Sequence, residues 1–329
     1  MALTQDFATM TFQSLNRGHN RVFQAGKMSV GLVVPIENYD PSPVPTMTRH
    51  VERVQLAEEL GFAAVWVRDV PFNVPSFGDA GQTFDPFVYL GLLAAKTKSI
   101  ALGAASIILP LRHPAHVAKA AATVDVLSSG RLILGVASGD RPDEYPALKI
   151  AFENRGEKFR ESYEYVRRMG QDWPSFESPF GSPNGHMDML PKPTAGKLPL
   201  LITGGSQQAS NWLARNGGGW MLYPRPAGVQ AKVIHDWRTQ MQAEGRTNQP
   251  VLEPLYIDLT KDPNSGPTSI HLGYRLGANT LVQYLRTRQD IGVNHVALNL
   301  RFNQADTEQT MKQLAERILP EFTSHSIAE

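Results

Sequence analysis

The sequence has no cysteine, almost no net charge and no long run of apolar residues. In a chain of 329 residues, the absence of cysteine excludes disulfides, catalytic thiols and zinc sites built on thiolates. The 32 basic and 31 acidic side chains leave a formal charge of +1, so an extended basic surface for nucleic acid is not expected. With 42% hydrophobic residues, the composition is that of a globular protein.

The amino-terminal segment lacks the apolar stretch of a secretory signal. Polar residues such as Asp6 and Arg17 interrupt residues 1–28. Nowhere do about 18 apolar residues follow one another, as a membrane-spanning helix would require. We therefore expect a cytoplasmic protein without a membrane partner. Residues 1–27 are interpreted as an N-terminal extension, draped over the domain or mobile, and residues 28–329 as one domain.

Apolar, β-branched segments alternate with helical segments along this domain. Eight segments predict strands: Ser29–Val34, Phe62–Val67, Ile100–Leu109, Leu132–Ala137, Pro199–Thr203, Gly219–Tyr223, Leu252–Leu259 and Val293–Leu300. A helix is predicted after each strand: Met47–Leu60, Asp85–Lys96, Pro114–Leu127, Glu153–Met169, Gln207–Arg215, Val229–Gln242, Gly273–Asp290 and Thr307–Phe322. Strands without polar alternation are typical of a parallel sheet that is buried on both faces.

Eight strand–helix units in about 300 residues favour an α/β fold, a single (β/α)8 TIM barrel. An open doubly wound sheet with a small extra domain is the competing interpretation. Residues 172–197 contain five prolines, three glycines and no helical or strand period, so they are interpreted as an insertion loop. Such a loop is a candidate lid over an active site.

The active site of a TIM barrel is built from the residues that follow its strands. Here these residues are mostly small, hydroxyl-bearing or arginine side chains: Pro35, Glu37, Asn38, Arg68, Asp69, Ser106, Ser138, Gly139, Asp140, Arg141, Gly204, Gly205, Ser206, Tyr223, Arg225, Asp258, Asn299, Arg301 and Asn303. A clustered set of His, Asp and Glu ligands is missing, so we expect no metal. The set suits an anionic, planar ligand.

The segment Thr203-Gly204-Gly205-Ser206, between a predicted strand and a helix, carries the most local information. Glycines let the backbone approach a phosphate, and the free N–H groups of a helix start point toward it. Ser206 would also serve as the N-cap of the following helix. Taken alone, the segment fits an ordinary strand-to-helix turn equally well.

A second small-residue strand end, Ser138-Gly139-Asp140, leaves room for a flat ring or a phosphate arm. Tight packing inside a barrel would also favour such residues. Arg155, near the start of the next helix, carries a guanidinium that fits a phosphate. A surface salt bridge to Glu153 or Glu157 is the alternative role for Arg155.

Several segments together resemble the bacterial luciferase-like family of flavin-dependent oxidoreductases. They are Gly31-Leu32-Val33-Val34-Pro35, Ala57-Glu58-Glu59-Leu60-Gly61-Phe62 with Val65-Trp66, Gly103 to Pro110 with His113-Pro114, and Asp125 to Ser128 with Gly130-Arg131-Leu132 and Gly135-Val136. The resemblance runs from about Ser29 to the end of the chain.

What the resemblance implies is FMN at the barrel mouth, with its ring over the third and fourth strands. By position, Ala105-Ser106 matches the family's non-proline cis peptide beneath the ring. Ser138 and Gly139, with Asp140 beside them, fall where family members touch the flavin and its phosphate. The remaining cofactor-binding candidates lie at the family's phosphate turn and phosphate arginine: Gly204, Gly205, Ser206 and Arg155.

The sequence departs from luciferase itself in one place that matters for catalysis. Luciferase carries a histidine pair after the second strand, where this chain has Arg68-Asp69-Val70-Pro71, and a threonine at the phosphate helix is replaced by Ala209. Light emission therefore does not carry over. A luciferase-type oxidoreductase subgroup is resembled by three segments together: Arg68-Asp69-Val70-Pro71, Gly139-Asp140-Arg141-Pro142 and Asn299-Leu300-Arg301-Phe302-Asn303. Strand-end position leaves four candidate catalytic residues: Arg68, Asp69, Arg141 and Arg301. The arginines would anchor an anionic substrate or the reduced ring, with Asp69 or Asp140 orienting them.

The resemblance implies an FMN-dependent monooxygenase that acts on a small organic substrate with O2. A separate NAD(P)H:flavin reductase would be its partner if free reduced flavin is the form that binds, and a homodimer is expected. Two alternatives stay open: a dehydrogenase or reductase that uses a deazaflavin, and a flavin-binding protein without turnover.

Overall fold

Eight parallel strands close into a barrel in the computed structural model, which describes residues 11–40 and 42–322. The barrel strands are β1 (Ser29–Val33), β2 (Ala64–Val67), β3 (Ala101–Ile108), β4 (Leu132–Ala137), β5 (Leu200–Thr203), β6 (Trp220–Met221), β7 (Val251–Leu259) and β10 (His295–Asn299). Each pairs with the next, and β10 pairs with both β7 and β1, which closes the ring. The TIM barrel is therefore confirmed, and an open sheet is excluded.

Helices surround this barrel in the described part of the chain. They are α1 (Arg17–Val22), α2 (His50–Glu59), α3 (Pro86–Lys96), α4 (Pro114–Leu127), α5 (Glu144–Ala147), α6 (Arg155–Met169), α7 (Ser210–Asn216), α8 (Ala227–Ala243), α9 (Ala278–Asp290) and α10 (Thr307–Arg317). Their starts have local causes: the Asp85 carboxylate accepts from the N–H groups of Phe87 and Val88, and Pro86 fixes the first turn of α3. None of the helices within 11–40 and 42–322 is long and apolar enough to cross a membrane.

Side chains from the strands fill the barrel interior. The buried cluster there includes one inward residue from each barrel strand: Val33, Trp66, Ala101, Ile133, Leu201, Met221, Leu252 and Ala297. Trp66 is fully buried, and a Cβ at Gly103 on the neighbouring strand would lie 2.1 Å from the Trp66 ring. The large Trp66 ring on β2 thus requires glycine at position 103 on β3. The barrel interior is filled by side chains and is not a pore.

Residues 11–27 of the predicted N-terminal extension lie across the amino-terminal end of the barrel. The Asn16 side chain donates to Asp125 and to the Leu132 carbonyl, both at 2.7 Å, and caps α1. Gly18 N–H donates to the Gly130 carbonyl at 2.7 Å. Helix α1 was not predicted, because it is held by these tertiary contacts rather than by its own periodicity. Residues 1–10 of the extension, with 41 and 323–329, lie outside the described residues.

A buried histidine, His295, connects residues 11–27 to the barrel core. Trp66 Nε1–H donates to Nε2 of His295 at 2.9 Å. Ser29 Oγ donates its proton to the Val22 carbonyl at 2.7 Å. It must therefore accept a hydrogen bond from His295 Nδ1, which lies 2.6 Å away. These bonds require the neutral Nδ1–H tautomer, and burial lowers the His295 pKa to about 3.

Residues 172–197 form an irregular segment, as predicted, with one isolated bridge between Ser175 and Asn184. The segment packs on the outside of the barrel: Leu190 accepts from Lys119 of α4, and Thr194 donates to Asp125. None of its residues is among those that line the barrel mouth. The prediction of a lid from this segment is wrong, because its contacts hold it against α4 and α6.

One predicted helix begins too early. Residues Gly273–Leu276 form strand β9, which pairs with β7 and, in a hairpin, with β8 (Thr268–Ile270). A Cβ at Gly273 would lie 1.8 Å from the Tyr256 carbonyl, so glycine permits this close pairing. Helix α9 starts only at Ala278. The predicted Thr307–Phe322 helix likewise ends at Arg317 and is followed by a 3-10 turn at Leu319–Glu321.

Candidate active site

Two adjoining cavities open at the carboxyl-terminal end of the strands. The larger has a volume of about 320 Å³ and the smaller about 80 Å³. Five residues line both: Arg68, Ala105, Ser106, Thr203 and Tyr223. Most of the predicted site residues line the larger cavity: Arg68, Asp69, Ala105, Ser106, Ser138, Gly139, Asp140, Arg141, Gly204, Gly205 and Ser206. The structure thus brings these strand ends together as the barrel geometry predicts.

The floor of the mouth is formed at the end of β3. The Ala105–Ser106 peptide is cis, as predicted, and the β3–β4 register shifts between Ala104 and Ile107. Ser106 Oγ is hydrogen-bonded to Thr203 Oγ1, which lies 3.2 Å from Met221 Sδ. The ends of β3 and β5, on either side of β4, therefore share a polar contact beneath the cavity, beside otherwise apolar barrel residues.

The turn that follows β5 lines the larger cavity and contains unpaired backbone donors. Gly204, Ser206 and Gln207 have φ of +55°, +44° and +60°. Among the described residues, the N–H groups of Gly205, Ser206 and Gln207 donate to no protein acceptor. Nothing lies within 4 Å of a Cβ built on Gly204 or Gly205. An open cradle of unpaired N–H groups fits a phosphate.

Ser206 has a different local role from the predicted one. Helix α7 begins at Ser210, and its N-cap is Ala209. Ser206 Oγ instead donates to the Thr203 carbonyl at 2.8 Å and closes the turn on itself. The N-cap prediction is wrong, because the left-handed residues at 206 and 207 prevent the helix from starting there.

The end of β4 is tightly shaped around Gly139. Its φ is +77°, and an added Cβ would lie 2.6 Å from Tyr145 Oη and 2.8 Å from Ile108 Cγ2. The Tyr145 hydroxyl donates to the Ser138 carbonyl, and burial raises the Tyr145 pKa to about 12. Asp140, next along the chain, is exposed at the cavity wall. Conformation and space both require glycine at position 139.

Arg155 begins α6, near the phosphate cradle but not on the cavity wall. Its guanidinium carbon lies 3.7 Å from the centroid of the Phe152 ring, and Nη1 donates to the Phe152 carbonyl. Within the described chain it forms no ion pair with Glu153 or Glu157, and its buried Nε has no acceptor. Its guanidinium therefore retains a free donor.

Asp79, which the sequence did not single out, holds the strand-end arginines together. Its carboxylate lies 2.8 Å from Arg68 Nη1 and 3.0 Å from Arg301 Nη1, and Tyr39 donates to it at 3.1 Å. Arg141 Nη2 donates to the Asp79 carbonyl at 2.8 Å. Three arginines that follow β2, β4 and β10 thus meet at one residue of the loop after β2.

The electrostatics of this cluster follow from its geometry. Burial alone would raise the pKa of Asp79, but Arg68, the Gly81 N–H and Arg301 hold it below its usual range. Burial alone would lower the pKa of Arg68, but Tyr39, Tyr256 and Asp79 hold it above its ordinary value. These groups are therefore ionised across the physiological range.

Asp69 does not orient these arginines. Its carboxylate accepts from Arg112 through Nε at 2.9 Å and Nη2 at 2.7 Å, and from the Ile108 N–H at 3.1 Å. The expectation that Asp69 orients Arg68, Arg141 or Arg301 is wrong, since a bidentate partner from the loop after β3 occupies it. Asp140 forms no ion pair with them in the described structure.

Glu144 is a second buried carboxyl that sequence reasoning missed. It begins α5, is fully buried, and lies three residues after Arg141. Burial raises its pKa to about 7, although Arg141 opposes the shift and Asp69 and Asp140 add to it. The short helix that buries Glu144 has no sequence signal strong enough to predict it.

The chemistry open to this site is that of anion binding in the cavities at the barrel mouth. The described residues contain no group of three or more His, Asp or Glu side chains that could hold a metal ion. Backbone N–H groups, hydroxyls and guanidiniums surround the cavity instead, with aromatic side chains at its rim. A phosphate-bearing planar cofactor fits such a donor set.

Comparison with protein families gives one match that spans most of the barrel. The family model described as luciferase-like monooxygenase matches residues 28–256. An uncharacterized Mycobacterium tuberculosis protein, Rv0953c, is 31% identical over 228 residues, 63% of this chain and 79% of that protein. The F420-dependent hydroxymycolic acid dehydrogenase of the same organism is 29% identical over 202 residues, 60% of this chain and 55% of the dehydrogenase.

The names of the relatives include both flavin-dependent and F420-dependent enzymes. The oxygenase component of the flavin-dependent trigonelline monooxygenase of Acinetobacter baylyi is 29% identical over 152 residues, 46% of this chain and 39% of the oxygenase. Among solved structures, the monooxygenase RslO1 from Streptomyces bottropensis superposes with a TM-score of 0.74 at 21% identity, covering 89% of this chain and 99% of its own. An F420-dependent secondary alcohol dehydrogenase gives 0.72 at 17%, covering 90% and 99%. These structures share the fold.

Proposed function

The chain belongs to the luciferase-like monooxygenase family, and from this membership we propose that it is an FMN-dependent monooxygenase acting on a small organic substrate with O2. The main support for the proposal is the open turn at residues 204–207, which lines the mouth cavity and in which the N–H groups of Gly205, Ser206 and Gln207 have no acceptor among the described residues. Such a cradle suits the phosphate of a flavin mononucleotide.

The proposed cofactor site uses the residues around that turn. Gly204, Gly205 and Ser206 would hold the phosphate, with Arg155 close to it through the start of α6. The flat ring would lie over the Ala105–Ser106 peptide, beside the β4 end at Ser138, Gly139 and Asp140. Contact between the start of α6 and this turn supports the arrangement: Gln208 Nε2 donates to the Gly156 carbonyl at 2.7 Å and to the Ser206 carbonyl at 3.0 Å.

Four residues are proposed to act in the reaction: Arg68 and Arg141 as candidates for contact with the substrate, and Arg301 and Asp69 as positioning residues. When bound and reduced, the flavin would supply the electrons that activate O2, and one oxygen atom would enter the substrate while the other leaves as water. The protein's part is to bind and orient substrate and to keep water out. Arg68 and Arg141 face the cavity, Arg301 acts through Asp79, and Asp69 fixes the β3 loop through Arg112.

A deazaflavin-dependent dehydrogenase or reductase is the second candidate. It is favoured by relatives whose names carry F420, including the hydroxymycolic acid dehydrogenase. The third candidate, a flavin-binding protein without turnover, ranks last because the mouth retains ionised groups beyond those a cofactor phosphate needs. An NAD(P)H:flavin reductase partner, a homodimer and a cytoplasmic location complete the proposal.

Binding of FMN and riboflavin to matched Gly205 variants tests the phosphate site. Gly205→Asp puts a negative charge in the cradle, while Gly205→Asn adds a side chain of nearly the same shape without charge. We expect Asp to weaken FMN binding about tenfold or more relative to Asn, because like charges repel strongly in a partly buried site. Riboflavin, which lacks the phosphate, should bind both variants equally. Equal FMN affinities for the two variants would place the phosphate elsewhere. F420 titrated in parallel decides between the two cofactors.

A further inference from the structure

Arg141 is a buried cation without a carboxylate partner in the described structure. It is 6% exposed, and Nη2 donates to the Asp79 carbonyl at 2.8 Å. Its Nη1 is buried and finds no acceptor among the described residues. The guanidinium carbon lies 4.1 Å from the centroid of the Phe77 ring. One carbonyl and one aromatic ring do not neutralise the charge of a buried guanidinium, so Arg141 lacks an anionic partner within the described chain.

The surrounding charges do not supply that anion. Asp79 already pairs with Arg68 and Arg301, at 2.8 and 3.0 Å. Asp69 is held in a bidentate pair by Arg112. Arg68 and Arg301 therefore take up the Asp79 carboxylate, and Arg141 is left with the Asp79 backbone carbonyl.

The remaining acids near Arg141 do not change this balance. Asp140 is exposed to solvent, and the Glu144 pKa is raised to about 7, so this carboxyl is only partly ionised near neutrality. Neither lies within ion-pair distance of Arg141 in the described residues. The cluster keeps an excess of positive charge that water must screen when the site is open.

The space beside Arg141 has an apolar and aromatic side. Arg141 lines the 320 Å³ cavity together with Val70, Phe77, Ile108 and Tyr223. Phe77 is 45% exposed and Tyr223 is 54% exposed, so two large rings stand half open at this rim. A flat apolar body can cover these rings while an attached acid reaches the guanidinium.

We propose that the substrate is an organic anion, a carboxylate carried on a planar apolar body, and that Arg141 binds its carboxylate. The proposal rests on the proposed flavin-dependent function, because it assigns this end of the cavity to the substrate and the turn at 204–207 to the cofactor. Asp79 is then a positioning residue, which fixes Arg68 and Arg301 and holds Arg141 through its carbonyl.

Calorimetric titration with two probes of equal shape tests this assignment. Benzoate and benzamide are titrated into the FMN-saturated protein and into Arg141→Gln, Arg141→Lys and Arg275→Gln. Arg275 is the matched control, an arginine at the same end of the barrel that is 56% exposed and pairs with Asp258. We expect the wild type to prefer benzoate by about tenfold or more, the gain typical of a charge-assisted hydrogen bond. Arg141→Gln should abolish the preference, Arg141→Lys should retain part of it, and Arg275→Gln should keep it whole.

The outcomes separate this inference from the proposed function. If FMN binds but the wild type treats benzoate and benzamide alike, the substrate assignment is overturned and the flavin assignment stands. If Arg141→Gln weakens FMN but not riboflavin, Arg141 belongs to the phosphate site and the assignment is again overturned. If FMN does not bind, the proposed function fails, and the same titration of the flavin-free protein still decides whether Arg141 recognises a carboxylate.

Discussion

The guanidinium of Arg68 lies 2.8 Å from the carboxylate of Asp79, and this ion pair ties the end of β2 to the loop that follows it. Asp79 is 8% exposed and also pairs with Arg301 from the opposite side of β1. Ion pairs therefore stabilise the barrel mouth in addition to side-chain packing. These pairs keep the arginines in fixed positions before any ligand binds.

Substitution of Asp79 by Asn should destabilise the protein and disturb the mouth. The guanidiniums of Arg68 and Arg301, whose side chains are 17% and 9% exposed, would lose their counter-charge, for which we expect a loss of about 2–4 kcal/mol in the free energy of unfolding. Urea denaturation measures this loss. Asp140→Asn, at an exposed position of the same mouth, should change stability by no more than about 0.5 kcal/mol. Equal effects for the two variants would show that Asp79 does not stabilise the mouth.

Substitution of Gly139 by Ala should cost stability through both conformation and space. Its φ of +77° disfavours any side chain, and the new methyl would meet Tyr145 Oη and Ile108 Cγ2. We expect a loss of about 2 kcal/mol or more, seen as a lower melting temperature. Gly228→Ala in α8 is the control, because nothing lies within 4 Å of its Cβ. That change should be neutral or stabilising. A Gly139 variant as stable as the control contradicts the account of this turn.

The buried His295 should make the protein sensitive to acid. Its pKa is lowered from 6.5 to about 3 by burial, so between these values the unfolded chain binds a proton that the folded protein does not. Stability from this group is complete above pH 6.5 and is lost as the pH falls toward 3, by about 1.4 kcal/mol per pH unit. His295→Gln should flatten this acid limb in pH-dependent denaturation. His186→Gln, on an exposed residue, should leave it as steep as in the wild type.

The contribution of Glu144 to stability should depend on pH in the opposite sense to that of His295. Its pKa is raised from 4.5 to about 7, so between these values the folded protein holds a proton that the unfolded chain has released. Stability therefore decreases as pH rises from 4.5 to 7 and is constant above. The free energy of unfolding of Glu144→Gln, relative to that of the wild type, should therefore be about 1–3 kcal/mol more favourable at pH 8 than at pH 4. The exposed Glu316→Gln should show no such pH-dependent gain. If Glu144→Gln behaves like Glu316→Gln, the buried carboxyl is ionised throughout.

The barrel could be predicted from the sequence because each of its strands is an apolar run flanked by turn residues. Periodicity placed β4 at its observed bounds, from Leu132 to Ala137, and α4 from Pro114 to Leu127. It misassigned Gly273–Leu276, since a short strand that continues into a helix has no boundary signal except Gly277. The approach of Gly273 to the Tyr256 carbonyl is a tertiary contact, and no local pattern encodes it.

The candidate site was predicted in its outline, but not in its charge pairing. Strand-end position identified Arg68, Arg141 and Arg301, because parallel strands end on the same face of a barrel. Asp79 escaped, because it lies in an irregular loop whose path over the mouth is set by Gly78 and Gly81 with positive φ. Ser206 lies at the cavity as predicted but does not cap the helix, because left-handed backbone at Ser206 and Gln207 delays the start of α7 to Ser210.

Whether this barrel binds reduced FMN and presents it to O2 is decided by anaerobic titration of the purified protein with reduced FMN. The complex is then mixed with air-saturated buffer in a stopped-flow spectrophotometer. We expect binding at micromolar concentrations and a kinetic phase of reoxidation that free reduced FMN does not show. If neither oxidised nor reduced FMN binds at micromolar concentrations, and the deazaflavin binds in the same experiment, the monooxygenase assignment is contradicted.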